Sequence, residues 1–288
     1  MILVTGATGH VGSEVVRLLA EAGTPARALI HSPDNAASIE HLGLEIALGD
    51  FDQPDTLDAA MKGCDRLFLL SPQSPRQPQW EQQVIDAATQ AGVGHVVKLS
   101  VPWAAPDAAL VFSRWHGQIE QYLAQSGLPH TLLRPSNFMQ NFLMSAQLVA
   151  DQGVLYGMTG EGRVGFIDTR DIAAVAATLL TNPRHQGTSY TLTGPEALSA
   201  AEVAERLSAA IGRQVRYVDV GPDAFRQGLR DAGLPGWLVD GVVEGNTLLA
   251  AGHGAAVTDK VARLTGRPSR TFAQFAADHR VAFGGQPS

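Results

Sequence analysis

Glycines at positions 6, 9 and 12 follow the apolar run Ile2-Leu3-Val4 and precede a helical pattern at Val15, Val16, Leu18 and Leu19. That spacing suits a dinucleotide pyrophosphate. Gly6 permits a tight turn out of a strand, Gly9 lets the backbone approach a phosphate, and Gly12 lets the following helix pack close to the sheet. The helix start adds unpaired N–H groups and the positive end of its dipole. Gly6, Thr8, Gly9, His10, Val11 and Gly12 are therefore the candidate phosphate cradle. Ligands of open α/β sheets lie beyond the carboxyl ends of the strands. Apolar runs that end at Leu70-Ser71, Leu99-Ser100 and Pro135-Ser136-Asn137-Phe138 thus make Leu70, Ser71, Ser100, Pro135, Asn137 and Phe138 candidate cofactor contacts. Other chemistries find no pattern. The nine histidines form no HExxH and no spacing suited to a metal, and no GxSxG elbow is present. Asp50, Asp52 and Asp55 read as turn and helix-capping residues, and Asp171 as a charge at a helix start.

These residues need a framework to hold them. Short apolar runs rich in β-branched residues, Ile2-Val4, Ala26-Ile30, Leu44-Ala47, Arg66-Leu70, His95-Leu99 and Thr131-Leu133, alternate with helical patterns near 11–22, 54–61, 77–91 and 115–126. Strands that are apolar throughout are buried on both faces, and their alternation with helices predicts a parallel sheet with helices on both sides. The fold class expected is α/β, a Rossmann-type doubly wound parallel sheet over residues 1–150, with a small, mostly helical C-terminal substrate lobe over 151–288. That second part is expected to pack on the first and to return some elements to the main sheet. A Gly-rich stretch from Gly153 to Gly165 precedes a helix starting near Thr169. Ser189-Leu192 and Val215-Val218 read as strands around a helix from Ser199 to Ile211, which opens with a Ser199/Glu202 capping box.

Composition narrows the class further. With 45% hydrophobic and 17% charged residues the chain is not disordered. A net charge of −7 without any Lys/Arg cluster argues against direct nucleic-acid binding. The single cysteine, Cys64, excludes an internal disulfide and a Cys-based zinc cage. No apolar run reaches the ~20 residues of a membrane helix, and Met1-Ile2-Leu3-Val4 lacks a basic n-region. A cytoplasmic protein without membrane attachment, monomer or homodimer, is expected.

The GxxGxxG spacing resembles the short-chain dehydrogenase/reductase superfamily. Further runs are similar to its atypical NmrA-like branch, which holds quinone reductases, triphenylmethane dye reductases and redox-sensing regulators. They are the opening Gly6-Ala7-Thr8-Gly9-His10-Val11-Gly12, then Gly49-Asp50-Phe51, Ser126-Gly127-Leu128-Pro129 and Thr131 to Phe138, followed by Phe166 to Ala173 and Tyr190 to Pro195. The resemblance spans almost the whole chain and implies that Asp50, with Phe51, contacts adenine. No acid stands at the end of the second strand to bind a ribose 2′-OH and repel a 2′-phosphate. Related NADP-binding members place Arg where this chain has His31. His31 and Ser32 can both donate to a 2′-phosphate, so NADP(H) is favoured over NAD(H). Arg27 alternates with the strand residues and is expected to point elsewhere.

Typical members of the superfamily use a Tyr-x-x-x-Lys pair, the Tyr donating a proton and the Lys holding the ribose. Here Phe112 and His116 occupy those positions. The catalytic candidate is His116, as a proton or hydrogen-bond donor or as a ribose contact; the alternative is a histidine on the helix surface or packed by Trp115 and Glu120. Trp103, Phe112, Trp115, Phe142 and Phe166 are the candidate aromatic pocket for a small apolar or aromatic substrate, and Trp237 is a candidate lid. The function these features imply is an NAD(P)H-dependent reductase acting on a quinone, dye or imine. The competing class is a non-catalytic NAD(P) sensor that binds a protein partner.

Overall fold

The computed structural model describes residues 1–182 and 185–286. In chain order the elements are β1 (Ile2–Val4), α1 (Gly12–Glu21), β2 (Ala26–Ile30), β3 (Glu45–Leu48), α2 (Pro54–Met61), β4 (Arg66–Leu69), α3 (Gln77–Gln90), β5 (His95–Leu99), α4 (Val111–Gln125) and β6 (His130–Pro135). There follow α5 (Ala146–Gln152), β7 (Val154–Gly157), α6 (Thr169–Thr181), β8 (Ser189–Leu192), α7 (Ala200–Ile211), β9 (Arg216–Asp219), α8 (Gly221–Asp231), α9 (Gly236–Ala250), α10 (Lys260–Thr265) and α11 (Phe272–Asp278).

Two compact units emerge: Met1–Pro135 with Thr169–Thr191, and Ser136–Asp168 with Leu192–Ser288. The division differs from a single cut at residue 150, because α6 and most of β8 belong with the sheet of the first unit. That sheet has seven strands in the order β3-β2-β1-β4-β5-β6-β8, and the neighbours from β3 to β6 are parallel. Strand order reverses on either side of β1, and this switch point opens a crevice at the carboxyl ends of β1 and β4. Helix α1 packs on α6, while α2, α3 and α4 pack side by side in a separate layer. In that layer Leu57, Met61, Val84, Ile85, Ile119 and Leu123 cover Leu3, Leu67, Leu69 and Val96 of the strands. This is the Rossmann-type arrangement that the strand and helix rhythm predicts.

Several boundaries shift. Strand β3 runs one residue later than the apolar run suggested, and α4 begins at Val111 rather than near 115. The early start of α4 has a physical cause in the preceding loop. Ser113 Oγ donates to Pro102 O at 3.1 Å, and Arg114 Nη1 donates to Ala108 O at 2.7 Å, so the first turn is tied to the loop rather than free in solvent.

The second unit has its own core around Met139, Val149, Leu155, Val203, Leu207, Phe272, Phe275 and Phe283. It is not wholly helical: β7, inside the Gly-rich stretch to which the sequence assigned no element, pairs in parallel with β9. The capping box of α7 is present, with Ser199 N donating to Glu202 Oε2 at 2.8 Å and Glu202 N to Ser199 Oγ at 3.3 Å. Among the described residues no helix is long and apolar enough to cross a membrane.

Candidate functional site

The glycine turn leaves β1 at Gly6, whose φ of +62° glycine adopts without strain. A Cβ on Gly6 would also lie 3.0 Å from Leu70 Cγ and Leu70 O. Thr5 completes this junction between β1 and β4: its Oγ1 donates to Leu70 O at 2.7 Å and accepts from Leu70 N at 2.8 Å. Thr8, Gly9 and His10 are exposed, Val11 and Gly12 are buried, and no side chain caps the start of α1. Gly12 is required by packing, since a Cβ there would fall 2.0 Å from Gly6 O. At Gly9 a Cβ would meet only Gly6 O, at an ordinary 3.5 Å. The protein itself therefore does not demand glycine at position 9, and the missing side chain leaves room for a group from outside. An uncapped helix start beside a side-chain-free backbone fits a pyrophosphate.

At the end of β2, His31 is exposed and its Nδ1 lies 3.9 Å from Asp50 Oδ1. Ser32 Oγ accepts from Asp34 N at 3.3 Å and so caps the short 3₁₀ turn that follows. Arg27 points elsewhere, as its alternation predicted: Nε donates to Glu45 Oε1 at 2.7 Å and Nη1 to Lys62 O at 2.9 Å. Asp50 carries a turn, accepting from Asp52 N at 2.9 Å and Gln53 Nε2 at 3.0 Å. The Asp52 N–H, ahead of the other contacts, holds its carboxyl below the usual range. Phe51 is half-buried beside Trp80, ring centroids 6.1 Å apart.

The strand ends hold something the sequence reasoning did not find. Lys98, the penultimate residue of β5, is fully buried. Its Nζ contacts Glu81 Oε2 at 2.8 Å, Leu99 O at 3.0 Å and His116 Nδ1 at 3.1 Å. The Glu81 contact is a charge contact rather than a well-directed hydrogen bond. Glu81 Oε1 accepts from Ser71 Oγ at 2.8 Å and from Gln77 Nε2 at 3.1 Å. Gln77 Oε1 is buried without a partner, and Gln77 Nε2 sits 3.4 Å from His116 Nε2. A second cluster adjoins: Glu120 accepts from Ser100 Oγ at 2.5 Å and from Arg134 Nε at 3.0 Å, with Arg134 Nη2 on its other oxygen. Ser71 and Ser100 thus donate their hydroxyl protons inward to carboxylates, which narrows their expected part as cofactor contacts to their remaining lone pairs.

His116 is not a surface histidine, one of the two alternatives raised from sequence; α4 turns it inward and buries it. Burial, with the Lys98 charge beside it, pushes its pKa well below the ordinary value near 6.5, so the imidazole is neutral at physiological pH. Phe112 and Trp115, half-buried on the same helix, pack at 5.5 Å. Trp103 is 48% exposed and has φ +56°, the one positive φ at a non-glycine position among the described residues. Its loop is pressed on α4 at Gly117, where a Cβ would sit 2.0 Å from Ala105 C.

Pro135 ends β6 in the first unit. Asn137, Phe138, Phe142 and Phe166 belong to the second, where Phe142 packs edge-on with Phe166 at 5.1 Å and with Phe272 at 5.2 Å. Phe142 and Phe166 are thus packed on that unit's own core. Trp237 is the second residue of α9 and half-buried. No group of three His, Cys, Asp or Glu among the described residues is arranged to hold a metal.

The sequence model of the NmrA-like family matches residues 1–242. The chain belongs to the NmrA-like family. Within it, an NAD(P)H azoreductase of Xenophilus azovorans is 46% identical over 284 residues, covering 99% of both chains. Quinone oxidoreductase 2 of Escherichia coli is 30% identical, over 95% of this chain and 96% of its own. A crystal structure of that NADPH-dependent quinone oxidoreductase complexed with NADPH superposes with a TM-score of 0.88 at 28% identity, covering 96% of this chain and 99% of the other. Membership accounts for the order of motifs from the glycine turn to Tyr190-Thr191-Leu192.

Proposed function

We propose that this NmrA-like protein is an NAD(P)H-dependent reductase that delivers hydride to a conjugated small aromatic molecule of the azo, quinone or imine type, without a Tyr/Lys pair. The observation that carries the reading is a continuous path of contacts within the first unit. The glycine turn abuts Leu70, Ser71 follows it and bonds Glu81, and Glu81 and Lys98 lead to the buried imidazole of His116. A pyrophosphate cradle and a group able to donate a hydrogen bond therefore share one set of strand ends.

The nucleotide, when bound, supplies the hydride. The chain supplies binding and orientation. Gly6, Thr8, Gly9, His10, Val11 and Gly12 form the pyrophosphate cradle; the Gly9 N–H is engaged with Gly6 O at 3.0 Å, so Gly9 contributes open space and its neighbours the backbone N–H groups. Asp50 and Phe51 flank the adenine, and His31 with Ser32 favours NADP(H) by donating to the 2′-phosphate. Conjugated acceptors take hydride onto an electrophilic atom, so orientation carries much of the rate. Trp103, Phe112 and Trp115 offer flat apolar surface for that orientation. His116, neutral and buried, is the catalytic donor to the heteroatom on which negative charge develops.

The test pairs calorimetric titration with NADPH, NADP⁺, NADH and NAD⁺ with turnover of an azo dye and a quinone by wild type and His116→Ala. Expected are tighter binding of NADPH than of NADH and a fall in kcat of about 10²-fold in the variant. Turnover within about twofold of wild type removes His116 from catalysis. Nucleotide binding with no turnover of any acceptor favours the sensor class, and no binding overturns the proposal.

A further inference from the structure

We propose that Lys98 is a positioning residue that locks His116 in the tautomer carrying its proton on Nε2, and so sets the atom from which the imidazole donates. The inference rests on the reading of His116 as the donor and adds what fixes it. A lysine ammonium has three hydrogens and no acceptor. Here it faces three acceptors: Leu99 O at 3.0 Å, Glu81 Oε2 at 2.8 Å and His116 Nδ1 at 3.1 Å. None of the three can be exchanged for a donor without setting two hydrogens against each other. Nδ1 must therefore carry the lone pair and Nε2 the hydrogen.

Around Nε2 the protein leaves the hydrogen unanswered. The nearest polar atom is Gln77 Nε2 at 3.4 Å, an amide nitrogen that donates one hydrogen to Glu81 Oε1 and has no lone pair with which to accept from the imidazole. The acceptor of the same amide, Gln77 Oε1, is buried and has no partner. A buried N–H and a buried carbonyl oxygen left without partners at one place are costly unless a ligand answers them. A carbonyl, azo nitrogen or ribose hydroxyl presented to Nε2–H fits that need.

Stability does not account for the arrangement. A buried ion pair is often no more stabilising than apolar residues of similar size, and the rest of β5 supplies those in Val96, Val97 and Leu99. What an ammonium provides and a methionine does not is direction: a donor held against one ring nitrogen. Glu81 keeps the charge at that point, and Ser71 and Gln77 in turn hold Glu81.

Nitrogen NMR of protein labelled with ¹⁵N-histidine reads the tautomer directly, with His116→Gln assigning the signals among the nine histidines. In wild type near neutral pH, His116 is expected to show a protonated-type Nε2 and an unprotonated-type Nδ1. In Lys98→Met the two signals should move towards averaged values, and kcat should fall about tenfold or more while the Kd for NADPH stays within about twofold. Lys98→Met leaves Glu81 buried and unpaired, so the double variant Lys98→Met/Glu81→Gln serves as a better-tolerated second test with the same expectation. A wild-type His116 protonated on Nδ1, or a tautomer pattern unchanged in both variants, overturns the proposal. The spectra require no turnover: the expected pattern together with an active His116→Ala enzyme would sink the catalytic reading and leave the tautomer lock standing.

Discussion

A Cβ on Gly12 would lie 2.0 Å from the carbonyl oxygen of Gly6. The two glycines are thus in backbone contact across the turn that starts α1. Gly9 stands between them with a Cβ position 3.5 Å from the same oxygen, an ordinary contact. Substitutions should separate these roles. Gly12→Ala is expected to destabilise the protein by about 2 kcal/mol or more, because a backbone atom must move. Gly9→Val should leave thermal unfolding near wild type and abolish NADPH binding in calorimetry. Unchanged affinity in Gly9→Val would take the turn out of the nucleotide site.

His31 is the exposed residue at the end of β2 on which NADPH preference is placed. His31→Arg should raise the ratio of kcat/KM for NADPH over NADH about tenfold, since a guanidinium grips phosphate in two-pronged fashion. His31→Ala should bring the ratio towards one. Equal ratios in all three proteins would move the 2′-phosphate elsewhere.

Trp103 holds a left-handed backbone at φ +56° while its ring stays half in solvent. Such a conformation costs a non-glycine residue about 1 kcal/mol or more. Trp103→Gly should therefore relieve strain and leave the unfolding temperature equal to or above wild type. If the ring stacks on the substrate, the same variant should raise KM for an azo dye about three- to tenfold. A stable variant with unchanged KM would make the strain merely structural.

His95 is buried on β5, its Nε2 is 3.0 Å from Thr131 Oγ1, and burial leads the causes that push its pKa down to about 4. The unfolded chain binds this proton at pH values where the folded protein refuses it. Stability is consequently whole above the ordinary value near 6.5 and declines as pH falls towards about 4, by at most about 1.4 kcal/mol per pH unit for this one proton. Denaturant titrations across that interval should show the slope, and His95→Gln should flatten it. His116, shifted in the same direction, adds a second proton, so the slope in His95→Gln is expected to shrink rather than vanish.

The glycine turn, the strands from β1 to β6 and the capping box of α7 were legible because each is a local pattern. A turn needs glycine where φ is positive, a strand buried on both faces is apolar throughout, and a box needs Ser and Glu three residues apart. Where local pattern was silent, the reading slipped. β7 lies in a Gly-rich stretch with no strand pattern of its own, since its stability comes from pairing with β9 far along the chain. The inward face of His116 was open from sequence, because α4 carries aromatic and polar residues on more than one side.

Lys98 did leave a trace, a charge between the apolar Val97 and Leu99 of β5, but nothing in its neighbours named its partners. Those partners are Glu81 on α3 and His116 on α4, which contact it only because both helices lie over β5 in the folded unit. By itself the sequence determined most of the secondary structure of the first unit, the glycine turn and the family, since short-range sterics and periodic burial write these into neighbouring residues. Tertiary structure alone decided which charges meet, which ring nitrogen faces a lysine, and that Phe142 and Phe166 pack on the core of the second unit. Those outcomes depend on separations of a few ångströms between residues distant in the chain, and no local pattern carries that information.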